Sequence, residues 1–128
     1  MKILEKEISK YLKERKWHKL RPGDLAKSIA IESGELLELF QWHNPSLEEI
    51  KKDKEKVAQI KKELADVLLY CFDLSVTLGF DTKKVILEKL KHIKKKYPPY
   101  LMKNTKGKEP GTDENYWKIK KEYRKNGL

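Results

Sequence analysis

Residues 61–75 read KKELADVLLYCFDLS, and this stretch constrains the fold more than any other. Wound as a helix it is apolar almost all the way round, which places it at the centre of a helical fold. Three carboxylates, Glu63, Asp66 and Asp73, are nonetheless set into it. With about 100° per residue and Glu63 at zero, Tyr70 falls at roughly 340°, Leu74 at 20° and Val67 at 40°. Glu63 therefore lies inside the apolar arc. Asp66 is one turn along and roughly 60° away, with Asp73 beside it. In LAKSIAIESGELLELF the pattern repeats: with Glu32 at zero, Leu25 falls at roughly 20°, Leu36 at 40° and Leu39 at 340°. Glu35 follows one turn along, and Glu38 lies further round toward the polar side.

Two helices thus each turn an E-x-x-(E/D) pair inward. A buried carboxylate without a partner is costly and tends to take up a proton. Four of them need a cation between them, lysines from a neighbouring helix, or a wet groove. Two pairs, each within an apolar arc, favour the cation. An all-oxygen donor set suits a hard divalent ion, Mg²⁺ or Mn²⁺, which keeps open positions for water and phosphate. Neither helix carries the Glu-x-x-His of di-iron bundles, and His18, His43 and His92 lie near expected helix ends. Phosphate chemistry is indicated over redox chemistry.

The rest of the chain reads as all-α. Helices are expected over 2–16, 25–42, 47–78 and 82–96. The third carries a capping box at Ser46 and Glu49 and a possible kink after its charged first part, 47–56. Gly79 is a natural stop, and Asp81 a natural cap for the fourth. Beyond Tyr100, KNTKGKEPGTDEN reads as a linker or ordered loop, and ENYWKIKKEYRKNGL as a short helix with Tyr116, Ile119 and Tyr123 on one side. The expected division is a domain over 1–100 and a basic tail over 101–128.

Of the 128 residues, 38% are hydrophobic and 39% charged; so little apolar material favours completing the core by self-association. The net charge of +10 favours anionic partners, though a solvated lysine-rich surface is the commoner reason for such a charge in helical proteins with interleaved Glu and Lys. The single cysteine, Cys71, suits a reducing compartment and a core thiol. No signal-like or membrane-spanning run is found, so a cytoplasmic protein with no membrane contact is expected.

The motifs "ERKW", "IESGELLELFQW", "KELADVLLY" and "KHIKKKYP" together resemble the MazG-like all-α nucleoside triphosphate pyrophosphohydrolases, nearest the small dCTP pyrophosphatase-like branch. The branch's E-x-x-E, spacer, E-x-x-D signature is matched by Glu32, Glu35, Glu63 and Asp66, with 27 residues between the halves. The resemblance covers about residues 12–100 and implies a four-helix-bundle-like subunit, assembled as a homodimer or homotetramer, with a C-terminal tail. It implies Mg²⁺-dependent hydrolysis of a nucleoside triphosphate to monophosphate and pyrophosphate, in a nucleotide-pool house-cleaning role. The four carboxylates become metal ligands, and Glu35 or Glu38 orients the attacking water. Trp17, Trp42 and Tyr70 correspond to aromatics that enclose the base, and Lys89 and Lys96 to phosphate contacts. Arg21 and Ile93 depart from the family pattern, where related sequences carry His and Asn. Asp73 stays open: a group steadying the ligands, an extra ligand, or a buried polar anchor.

Two other readings compete. One is a basic helical nucleic-acid-binding or regulatory module; the absence of a helix-turn-helix or RNA-binding motif, and lysines scattered over several helices, count against nucleic acid. The other is a catalytically degenerate scaffold with this fold; retention of all four carboxylates counts against it.

Overall fold

The structure, a computed structural model, describes residues 1–101 and 114–128. Six α-helices and no strand occur among them: α1 Lys2–Glu14, α2 Pro22–Glu38, α3 Leu47–Lys52, α4 Lys54–Thr77, α5 Thr82–Lys96 and α6 Glu114–Lys125. The expected all-α class holds. The chain divides into two compact units, Met1–Thr82 and Lys83–Leu128.

In the first unit α2 and α4 pack along each other, with α1 and α3 also against α4. The expected 25–42 helix is displaced toward the N-terminus. Pro22 stands in the first turn after the extended N-cap Arg21, where its missing N–H costs nothing. Asp24 stands in the first turn of α2. The expected kink is a clean break at Asp53, whose side chain accepts the Lys56 N–H at 3.0 Å and caps α4. The capping box forms as read: the Glu49 N–H donates to Ser46 Oγ, and the Ser46 N–H to Glu49 Oε2, both at 3.3 Å.

Two helix ends share one turn geometry. After α4, Gly79 is left-handed (φ 71°); the Phe80 N–H reaches the Ser75 carbonyl at 2.9 Å and the Gly79 N–H that of Val76 at 3.1 Å. The two bonds make a Schellman motif. After α1 the same pair recurs, Trp17 to Leu12 at 2.8 Å and Lys16 to Lys13 at 3.1 Å. Here the left-handed residue is Lys16 (φ 59°) rather than glycine.

The first unit's buried apolar side chains are Ile8 and Leu12 of α1 and Leu25 of α2. Where α5 begins, the Thr82 N–H donates to Glu5 Oε1 of α1 at 2.9 Å, and the Thr82 and Ser75 hydroxyls hydrogen-bond at 2.7 Å. Cys71 is a half-buried free thiol. No helix of the described residues is long and apolar enough to cross a membrane.

In the second unit, Tyr97 stacks on Tyr116 at 5.1 Å, and His92 meets the edge of Tyr123 at 5.9 Å. Tyr116, Ile119 and Tyr123 are the half-buried side of α6, as expected. The linker reading of KNTKGKEPGTDEN falls largely outside the described residues.

Candidate functional site

A cavity of about 810 Å³ opens between α1, α2 and α4. Each helix contributes the stripe that helical spacing predicts: Leu25, Ser28, Glu32 and Glu35 from α2, and Asp66, Leu69, Tyr70 and Asp73 from α4. Glu32 of α2 meets Glu63 and Asp66 of α4, while Leu39, seven residues after Glu32, is met by Lys56, seven residues before Glu63, so the two helices run antiparallel. Lys56 ties them at the loop end, its Nζ donating to the Leu39 carbonyl.

The two carboxylate pairs meet across this hairpin. Glu32, Glu63 and Asp66, all half-buried, each offer an oxygen within 4.8 Å of the others. Glu35 borders the same cavity at an exposed position. Oε2 of Glu32 and Oε2 of Glu63 are buried without a hydrogen-bond partner among the described residues. Lys62, on the same helix, reaches the other oxygen of Glu63 at 3.6 Å from an exposed position. Glu32, Glu35 and Asp66 have no ion pair among the described residues, so a neutralising lysine from a neighbouring helix is not found there. Burial first, then a hydrogen bond and charge from Glu35, then the charges of Asp66 and Glu63, push the Glu32 carboxyl above its ordinary range. Orphaned buried oxygens on an all-carboxylate cluster fit a hard divalent cation.

The aromatic residues separate. Trp17 and Tyr70 line the cavity, and Tyr11 joins them, its ring meeting the edge of Trp17 at 5.8 Å and carrying Arg15 on its face at 4.1 Å. Tyr11 escaped the sequence reading, although it follows Ile8 by three positions on the inward stripe of α1. Ser28, four residues before Glu32, was legible on the same grounds. Trp42 is 90% exposed and does not border the cavity, nor does Glu38. Lys89 and Lys96 belong to the second unit, where Lys89 is exposed and Lys96 lies over the rings of Tyr97 and Tyr123 at 5.3 and 4.8 Å. Asp73 is buried and lies outside the oxygen cluster.

Residues 27–109 match the family described as MazG-like. Among curated proteins the chain is similar to dCTP pyrophosphatase 1 of Rattus norvegicus, 29% identical over 100 residues, covering 76% of this chain and 58% of that protein. The Homo sapiens protein of the same name is 29% identical over 103 residues, covering 78% and 60%. The chain thus spans little more than half the length of these relatives. Among solved structures it is similar to a pyrophosphatase from Archaeoglobus fulgidus, with a TM-score of 0.65 and 33% identity over 77% of this chain and 92% of that one.

Proposed function

The chain belongs to the MazG-like family, and from that premise we propose that it hydrolyses a nucleoside triphosphate to the monophosphate and pyrophosphate with Mg²⁺, or Mn²⁺ in its place. One observation carries the reading. Carboxylates of both pairs converge, with two orphaned buried oxygens, beside a cavity otherwise walled largely by apolar and aromatic side chains. A nucleoside triphosphate has that polarity, a polyanion at one end and a flat ring at the other.

Glu32, Glu63 and Asp66, with Glu35, would hold the cation. When bound, such an ion offsets phosphate charge and lowers the pKa of a water molecule. Glu35 is the better base of the two expected, because it borders the cavity and Glu38 does not. Trp17 and Tyr70 enclose the base, with stacking worth roughly 1–3 kcal/mol on the scale of single-strand binders. Lys89 and Lys96 meet phosphate oxygens. The subunit works as a homodimer or homotetramer, for which the exposed Ile31, Leu37, Leu64 and Leu68 supply apolar surface. Trp42, standing free of its own chain's cavity, then serves the nucleotide of a neighbouring copy. Clearance of unwanted nucleotides in the cytoplasm is the corresponding role.

The test is pyrophosphate release from a panel of canonical and modified triphosphates with Mg²⁺. Turnover of none of them overturns the proposal.

A further inference from the structure

Asp73 has no part in the reading above, yet it is the one charged residue buried among those described, at 8% exposure. It makes no hydrogen bond or ion pair among the described residues. Ser75 and Thr82, also buried, satisfy each other at 2.7 Å. Asp73 instead lines the cavity. It lies seven residues from Asp66, about 10 Å of helix rise, on the end that α2 marks with Leu25. With no protein partner among the described residues, the Asp73 carboxyl is left to whatever occupies the cavity it lines.

We propose that Asp73 is the specificity-determining residue of the nucleotide site, its carboxyl hydrogen-bonding the polar edge of the base while the phosphates point to the carboxylate cluster; this rests on the nucleotide reading above. The separation from Asp66 suits a sugar and a ring between the two polar ends. Burial holds the Asp73 carboxyl above its ordinary range; the group offers two acceptors when ionised and a donor beside an acceptor when protonated. A nucleobase edge presents that pair in complement. Apolar and aromatic walls grip bases of similar size alike, whereas a buried polar group rejects an edge that leaves it unpaired.

Four deoxynucleosides (deoxycytidine, thymidine, deoxyadenosine and deoxyguanosine) probe the base end without phosphate or metal. Their binding is measured by calorimetry on the full chain, alongside kcat and KM for the four triphosphates, in wild type, Asp73→Asn and Asp73→Leu. The wild type should separate its best and worst base by about tenfold or more. Asp73→Asn, which keeps an acceptor beside a donor, should retain a spread of that order. Asp73→Leu should compress it to within about threefold, through KM more than kcat. Should the Leu variant not fold, the Asp73 carboxyl carbon resonance of the wild type is followed instead, and it should shift on saturation with the preferred nucleoside. An unmoved resonance, or an unchanged spread in Asp73→Leu, overturns the assignment while leaving the hydrolase reading standing. No turnover of any triphosphate, with Asp73-dependent nucleoside discrimination intact, overturns the hydrolase reading and supports the assignment.

Discussion

The Trp17 N–H donates to the Leu12 carbonyl at 2.8 Å, and this bond turns the chain at the end of α1 so that the indole lines the cavity. The turn requires Lys16 in the left-handed region, which costs an ordinary L-residue about 1–2 kcal/mol. Glycine would adopt it without that strain but with more chain entropy to lose. Lys16→Gly is therefore expected to raise unfolding stability by up to about 1 kcal/mol. Urea denaturation checks this; a lower midpoint would show that the lysine side chain stabilises the turn in some other way.

Glu63→Gln keeps the shape of the cluster but removes one charge from it. Groups that merely orient metal ligands cost about 10–100-fold in affinity or activity when lost, so a ligand should cost at least as much. Mn²⁺ titration of the variant, beside Mg²⁺-dependent turnover, provides the measurement. Intact metal affinity would remove Glu63 from the site.

Asp73 predicts a pH effect whose sign is fixed by burial. Its carboxyl is raised in the folded protein, so the folded state binds this proton more tightly than the unfolded chain does. The contribution to stability is full below the ordinary carboxylate range and is lost as pH rises through the raised folded value. Asp73→Asn has no proton to lose there. Measured by denaturation without metal, the stability of the variant relative to wild type should increase as pH rises across that interval. A difference that stays flat would mean that the side chain is solvated.

Leu64 and Leu68 lie one turn apart on α4, and both are exposed in the isolated chain. If a second copy covers them, Leu64→Glu with Leu68→Glu places two unpaired charges in the interface. Light scattering should then report a monomer where the wild type is a dimer or tetramer. A wild type that is already monomeric would end this line of reasoning.

The candidate metal cluster was legible because helical periodicity is a local property. Glu32 falls beside Leu25 and Leu36, and Glu63 beside Val67 and Leu74, whatever surrounds them. Once α2 and α4 bury their apolar stripes together, Glu32, Glu63 and Asp66 meet. The capping box at Ser46 and the stop at Gly79 were equally local and formed as read. The break at Asp53 was less visible, because an aspartate cap within the run KKDKEK looks like any other charge. The start of α2 was misplaced because Pro22 serves either a turn or a first helical turn, and neighbouring packing decides between them. Trp42 eluded placement for a different reason: a position 90% exposed in one chain says nothing local about what covers it. Tyr11 was hidden among the charges of α1, where a single aromatic adds little to the periodicity.

The antiparallel course of α2 and α4 also settles where this chain can change length. The carboxylates meet partway along the helices, whereas the connection from Leu39 to Asp53 closes the hairpin beyond them, where Lys56 reaches the Leu39 carbonyl. Extra residues at His43 to Pro45 would lengthen a loop without sliding one helix past the other. Doubling a flexible loop costs only about 0.6 kcal/mol in closure entropy. An insertion inside α2 or α4 would instead rotate every later side chain by about 100° per residue and scatter the cluster. Ancestral or engineered variants of this protein can therefore gain or lose residues in that connector and keep the same chemistry.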